Sequence, residues 1–200
     1  TGKLARCRFP LLPKKKKTFQ NKEAPVREWV KIQNGCQQYC SFCIVPFLRP
    51  QLQSKPPKEV IEEINQLVGR GVQEVVLCGI NLSAFGQDLK PGLNLNDLIN
   101  LILAKTKIPR LSLSSLTPNL INSALVETFL KDYRREKRLS TYFHLALQTG
   151  SPRLYRLMNR PKTDLNKTKK LLQYIKQEIP EFNLRADILV GFPGETEEDF

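Results

Sequence analysis

Apolar positions along this chain switch between two spacings, and the switching predicts its elements. Residues 28–33 alternate as a strand does and stop at Asn34-Gly35. Pro50, Pro56 and Pro57 keep the following stretch extended. Val60, Ile61, Ile64, Leu67 and Val68 then fall on one helical face, which Gly69 and Gly71 close. The short apolar run 74–80 predicts a buried parallel strand. Leu95, Leu98, Ile99, Ile102 and Leu103 predict a second helix, residues 110–115 a third strand, and Pro118-Asn119 the start of a third helix reaching about residue 130. Arg134, Arg135, Lys137 and Arg138 read as a surface connection. Residues 142–148 predict a fourth strand, helical patterns follow at 154–158 and 165–179, and 183–190 predict a fifth strand.

Strands alternating with helices predict a parallel α/β fold, and both an open doubly wound sheet and a barrel are compatible with it. In either, ligands bind at the carboxyl ends of the strands, where the unusual loops of this chain lie. The pattern begins near Val26, so residues 1–25, with Pro10, Pro13 and the lysine run 14–17, read as a basic linker or tail. Residues 26–200 read as one domain, incomplete at its C-terminal end because the fifth strand has no helix after it.

Composition narrows the class. A chain of 200 residues at 40% hydrophobic content can bury a real core. No run of 18 apolar residues occurs, so no membrane span is expected. A net charge of +13 points to a polyanion, with nucleic acid the leading partner and a solvated basic surface the plain alternative. Five cysteines are few and odd in number, and no secretory signal opens the chain, which argues against a disulfide framework; a cytoplasmic protein is expected.

The chemistry concentrates in residues 35–46, where Cys36, Cys40 and Cys43 stand with three- and two-residue gaps. Thiolates this close can converge on one centre. An iron-sulfur cluster, a zinc site and unrelated thiols are the three readings. Three ligands leave one position open, which suits a cluster with a substrate-accessible iron better than a closed structural zinc site. Cys7 reads as incidental and Cys78 as core packing.

With Phe42 just before the third cysteine, these residues resemble the radical S-adenosylmethionine (SAM) superfamily. Further motifs are similar to the methylthiotransferase family, which modifies tRNA or, in one branch, a ribosomal protein: Gly79-Ile80-Asn81, Leu113-Ser114-Ser115, His144, Leu147-Gln148, Gly150-Ser151, and residues 190–196. The resemblance implies a partial TIM-like barrel of parallel strands, truncated here after the fifth. It implies a 4Fe-4S cluster on Cys36, Cys40 and Cys43, and SAM chelated to the open iron and cleaved to a 5'-deoxyadenosyl radical. The residues implied for SAM are Phe42, Gly79, Asn81, Ser115, Gln148, Ser151, Arg185, Gly191 and Gly194. Asn81 has turn stabilisation as its alternative role and Ser151 a helix N-cap. Arg185, a charge in an apolar strand, needs a carboxylate partner, either that of SAM or Asp187. Glu195 reads as a first-turn helix acid, and His144 as a satisfied core or supporting group rather than a ligand.

The resemblance also implies tRNA as partner and an electron donor such as flavodoxin or ferredoxin. Family members add a domain with a second 4Fe-4S cluster and a tRNA-binding domain, neither of which is in this sequence, so this stretch alone is expected to lack the complete apparatus. Residues 79–82 and 113–115 favour the branch acting on threonylcarbamoyladenosine over that acting on isopentenyladenosine, at position 37 of tRNA. Arg49-Pro50, Ser54-Lys55, Ala146 and Thr149 depart from the family pattern.

Overall fold

The computed structural model describes residues 25–90 and 92–200; the expectations for the basic N-terminal stretch and for Cys7 lie outside them. Strand β1 (Arg27–Asn34) buries Val30 and Ile32 completely, as its alternation predicts. It pairs in parallel with β3 (Glu74–Gly79), which pairs in parallel with β4 (Arg110–Leu113). Strands β5 (Tyr142–Gln148) and β6 (Asn183–Ile188) form a second parallel pair. Single bridges, Leu111 to Leu139 and Leu116 to Leu145, connect the two sheets into one curled, mostly parallel half-barrel.

Helices α2 (Pro57–Gly69), α3 (Leu95–Lys105), α4 (Ser123–Arg135) and α6 (Leu165–Glu178) supply the apolar stripes that cover the sheet. One core runs from Val30 to Phe182. Near its centre Phe143 of β5 packs edge-on against Phe129 of α4, with ring centroids 4.6 Å apart, and against Phe182 at 5.1 Å. The opposite face of the sheet stays open and presents Trp29, Lys31, Ser112, Tyr142, His144 and Arg185.

Several expectations change. A two-residue strand, β2 (Gln53–Ser54), pairs antiparallel with β1, and a one-turn helix, α1 (Val45–Leu48), follows the cysteine loop; both are too short to show a period. Pro118–Leu120 is a separate 3-10 turn, and α4 starts only after Asn122, whose side chain accepts from Leu125 N. Arg134 and Arg135 belong to the last turn of α4, and Arg138 is no simple surface residue: its guanidinium donates to the carbonyls of Leu103, Thr106 and Ile108. Cys78 lies half-buried beside Lys31 rather than in the core cluster. Burial pushes its thiol pKa up against the opposing pull of Lys31.

Candidate functional site

The cysteine loop leaves the carboxyl end of β1 through Gly35, whose φ of +79° disfavours an L side chain. A Cβ there would lie 1.8 Å from the Gln51 carbonyl oxygen. Gln33, 1% exposed, ties this exit to the end of β3. Its amide nitrogen donates to the carbonyls of Asn34 and Gly35, at 2.8 and 2.7 Å, while its Oε1 accepts from Asn81 N at 2.8 Å. The loop is braced from behind by Cys36 N donating to Arg49 O and Gln37 Nε2 to Pro50 O. Pro50 thus serves the loop through its carbonyl.

The other side of the loop is clamped from far along the chain. Helix α5 (Pro152–Leu157) ends in Met158 and Asn159, and Asn159 adopts a left-handed φ of +50°. Ser41 N donates to Met158 O at 3.0 Å, Ser41 Oγ to Leu157 O at 3.1 Å, and Asn159 Nδ2 to Tyr39 O at 2.8 Å. Arg160 then reaches Cys40 itself, with Nη1 3.6 Å from Sγ.

The three thiols therefore sit in a loop held from both ends. Cys36 and Cys40 are buried and Cys43 half-buried. Burial raises the Cys40 thiol pKa, the Arg160 hydrogen bond and charge lower it, and the neighbouring Cys36 and Cys43 raise it further. Asn81 Nδ2 lies 3.6 Å from Cys36 Sγ, so two of the three sulfurs face an N–H donor, which favours a thiolate at each. Among the described residues no three His, Cys, Asp or Glu side chains gather closely enough to hold a single metal ion. A cluster, in which each thiolate meets its own iron, does not need the three sulfurs to share one point.

The remaining expected residues fall into two further groups. Asn81 takes the turn-stabilising role as well as facing Cys36: its Oδ1 accepts from Ser83 N and Oγ. Gly79 lies where a Cβ would come within 2.9 Å of Gln33 Cβ, a close strand-to-strand approach. Phe42 is 40% exposed on the loop. On the open face Ser115 Oγ lies 3.0 Å from His144 Nδ1, and His144 Nε2 lies 2.7 Å from Asp187, so the single histidine is satisfied by two partners. Arg185 is 68% exposed, with Nε 4.0 Å from Asp187 Oδ1. The burial argument for its carboxylate partner fails, because β6 is exposed along most of its length.

Around the end of β6, Gln148 takes a strained φ of +75°, and Gly191 and Gly194 turn at +81° and +84°. Glu195 is not a helix acid: its Oε2 accepts from Gly191 N and Phe192 N and closes the turn. Ser151 caps α5, its Oγ accepting from Leu154 N and donating to Asp199. Arg153 pairs with Asp199 and donates to Gly194 O, which fastens the turn to α5. Thr149 Oγ1 accepts from Ser151 N, so the substituted position keeps a working hydroxyl.

Gln33, Asn159 and Arg160 carry the site without having stood out in the sequence. An Asn directly after a helical pattern was the one available sign, as a left-handed C-terminal cap.

The chain is 36% identical over 175 residues to the tRNA-2-methylthio-N(6)-dimethylallyladenosine synthase of Desulforamulus reducens, covering 88% of this chain and 37% of that protein. It is 38% identical over 176 residues to the ribosomal protein uS12 methylthiotransferase of Desulfotalea psychrophila, covering 87% and 38%. It thus spans little more than a third of the length of these relatives. Neither name favours the threonylcarbamoyladenosine branch that residues 79–82 and 113–115 had suggested. Its fold matches that of the radical SAM methyltransferase TsrM from Kitasatospora setae, solved with cobalamin and a [4Fe-4S] cluster, at a TM-score of 0.63 and 17% identity over 86% of this chain and 32% of that one. The radical SAM superfamily model matches residues 30–200, the stretch that contains all three loop cysteines, and the chain belongs to that superfamily.

Proposed function

We propose that this chain is the radical SAM portion of a tRNA methylthiotransferase of the dimethylallyladenosine type, placing a methylthio group on C2 of the modified adenosine at position 37. The observation that carries the reading is the loop of three thiols at the strand carboxyl ends, two of them facing N–H donors, within a chain 36% identical to a synthase of that type.

Cys36, Cys40 and Cys43 would hold a 4Fe-4S cluster, which when bound supplies the electron that cleaves SAM. The chain's own residues prepare that site. Gln33 fixes the distance between the cysteine loop and Asn81, and Gly79 keeps the backbone free of a Cβ where β1 and β3 approach. Arg185 is only loosely paired with Asp187 among the described residues, which leaves its guanidinium for a carboxylate on the open face. Gln148, Gly191 and Gly194 offer backbone at the β5 and β6 ends, where a nucleoside can approach closely. A second cluster and the main tRNA-binding surface belong in this reading to parts of the protein beyond these 200 residues, and the electron comes from a separate donor such as flavodoxin or ferredoxin.

Nucleoside mass spectrometry of tRNA from cells lacking the full gene tests this. Loss of 2-methylthio-dimethylallyladenosine, with the unthiolated nucleoside accumulating, is the expected result. Loss of the threonylcarbamoyl counterpart would move the enzyme to that branch. Unchanged tRNA with an unmodified uS12 protein would make the ribosome the substrate, the reading that the Desulfotalea relative favours.

A further inference from the structure

Arg160 is a partly buried cation with no carboxylate to balance it among the described residues. Its Nη1 lies 3.6 Å from Cys40 Sγ and its Nη2 donates to Ala146 O. The guanidinium carbon stands 5.6 Å from the Tyr155 ring centroid, and Nε is buried with no partner. A guanidinium drawn out of water without a counter-charge is costly. The groups placed to supply negative charge are the loop thiols.

We propose that Arg160 is a positioning residue that balances the charge of the Cys36, Cys40 and Cys43 centre and raises the reduction potential of the cluster it holds. This rests on reading the loop as the seat of an iron-sulfur cluster. Hydrogen bonds to ligand sulfurs and net local charge both set cluster potentials. A fixed cation stabilises the reduced, more negative form over the oxidised one, and partial burial keeps solvent from screening it. Asn159, its neighbour, clamps the same loop through a neutral amide, so the two residues separate charge from tethering.

The test is a redox titration, followed by EPR, of the anaerobically reconstituted protein and its R160Q, R160M, R160K and N159A variants. R160Q and R160M are expected to favour the reduced form about tenfold less, a shift of about 59 mV to lower potential for one electron. R160K should recover most of that shift, and N159A, which loosens the loop without removing a charge, should shift the potential much less than R160Q does. Variants lacking the guanidinium that hold a full cluster at the wild-type potential overturn the proposal, as does an N159A shift as large as that of R160Q. If R160Q and R160M melt as wild type yet take up no iron, charge balance is supported; if neither folds, Arg160 is structural and the proposal falls. Failure of the wild-type chain itself to take up a four-iron cluster would instead defeat the reading of the site.

Discussion

Gly35 and Gln33 show how much of the site depends on single residues outside the cysteines. At Gly35 an alanine must accept a left-handed φ and a Cβ 1.8 Å from Gln51 O. Gly35→Ala is expected to cost about 1–3 kcal/mol in urea unfolding and to lower the iron taken up on reconstitution. Gln33→Leu keeps the volume but strands Asn81 N and two carbonyls in a buried place. It should cost about 1–3 kcal/mol, read from the same unfolding curves. The cysteines were legible because their spacing is itself the signal. Gln33 was not, since a glutamine at a strand end looks like any other polar position until its three partners are known. Arg185 was misjudged for the converse reason: its apolar neighbours suggested a buried strand, and β6 leaves most of them exposed.

Among the elements, the start of β3 is bound to both neighbours by one carboxylate. Glu74 accepts from Arg27 of β1 and from Ser112 of β4, with Arg110 at 3.8 Å. Burial alone would raise its pKa, but the Ser112 and Arg27 hydrogen bonds and the two positive charges hold it below the ordinary carboxylate value. A depressed folded-state pKa gives stability that is present above the unfolded value of about 4.3 and is lost as pH falls through the folded one. Urea midpoints of wild type and Glu74→Gln should therefore differ at pH 7 and converge as the pH is lowered below about 4. Phe143→Ala, which empties the contact between α4 and the sheet, should cost about 3–5 kcal/mol. Long periodic helices and strands could be read from the chain. The 3-10 turn at Pro118 could not, because proline starts either kind of helix and only the Asn122 cap decides where α4 begins.

At the scale of the molecule, residues 1–24 hold eight of the 32 Lys and Arg but only one of the 19 Asp and Glu. The basic excess is thus divided between that stretch and the α/β body. If tRNA is the partner as proposed, replacing Lys14, Lys15, Lys16 and Lys17 together by Gln should weaken its binding and flatten the salt dependence. The expected change is roughly 0.7–0.9 in the slope of log K against log salt for each lysine that meets a phosphate. Filter binding between 50 and 200 mM salt would measure it, and an unchanged slope would assign RNA attraction to the body instead.

The clamp on the cysteine loop also has a consequence in time. Cys40 and Arg160 are separated by 120 residues, which a ribosome adds in roughly 6–24 s at about 5–20 residues per second. During that interval the loop exists without its far clamp, its thiols open to stray metals and oxidants. On the proposed reading, a cluster inserted before Arg160 emerges would meet half a site, which places iron delivery after synthesis of α5.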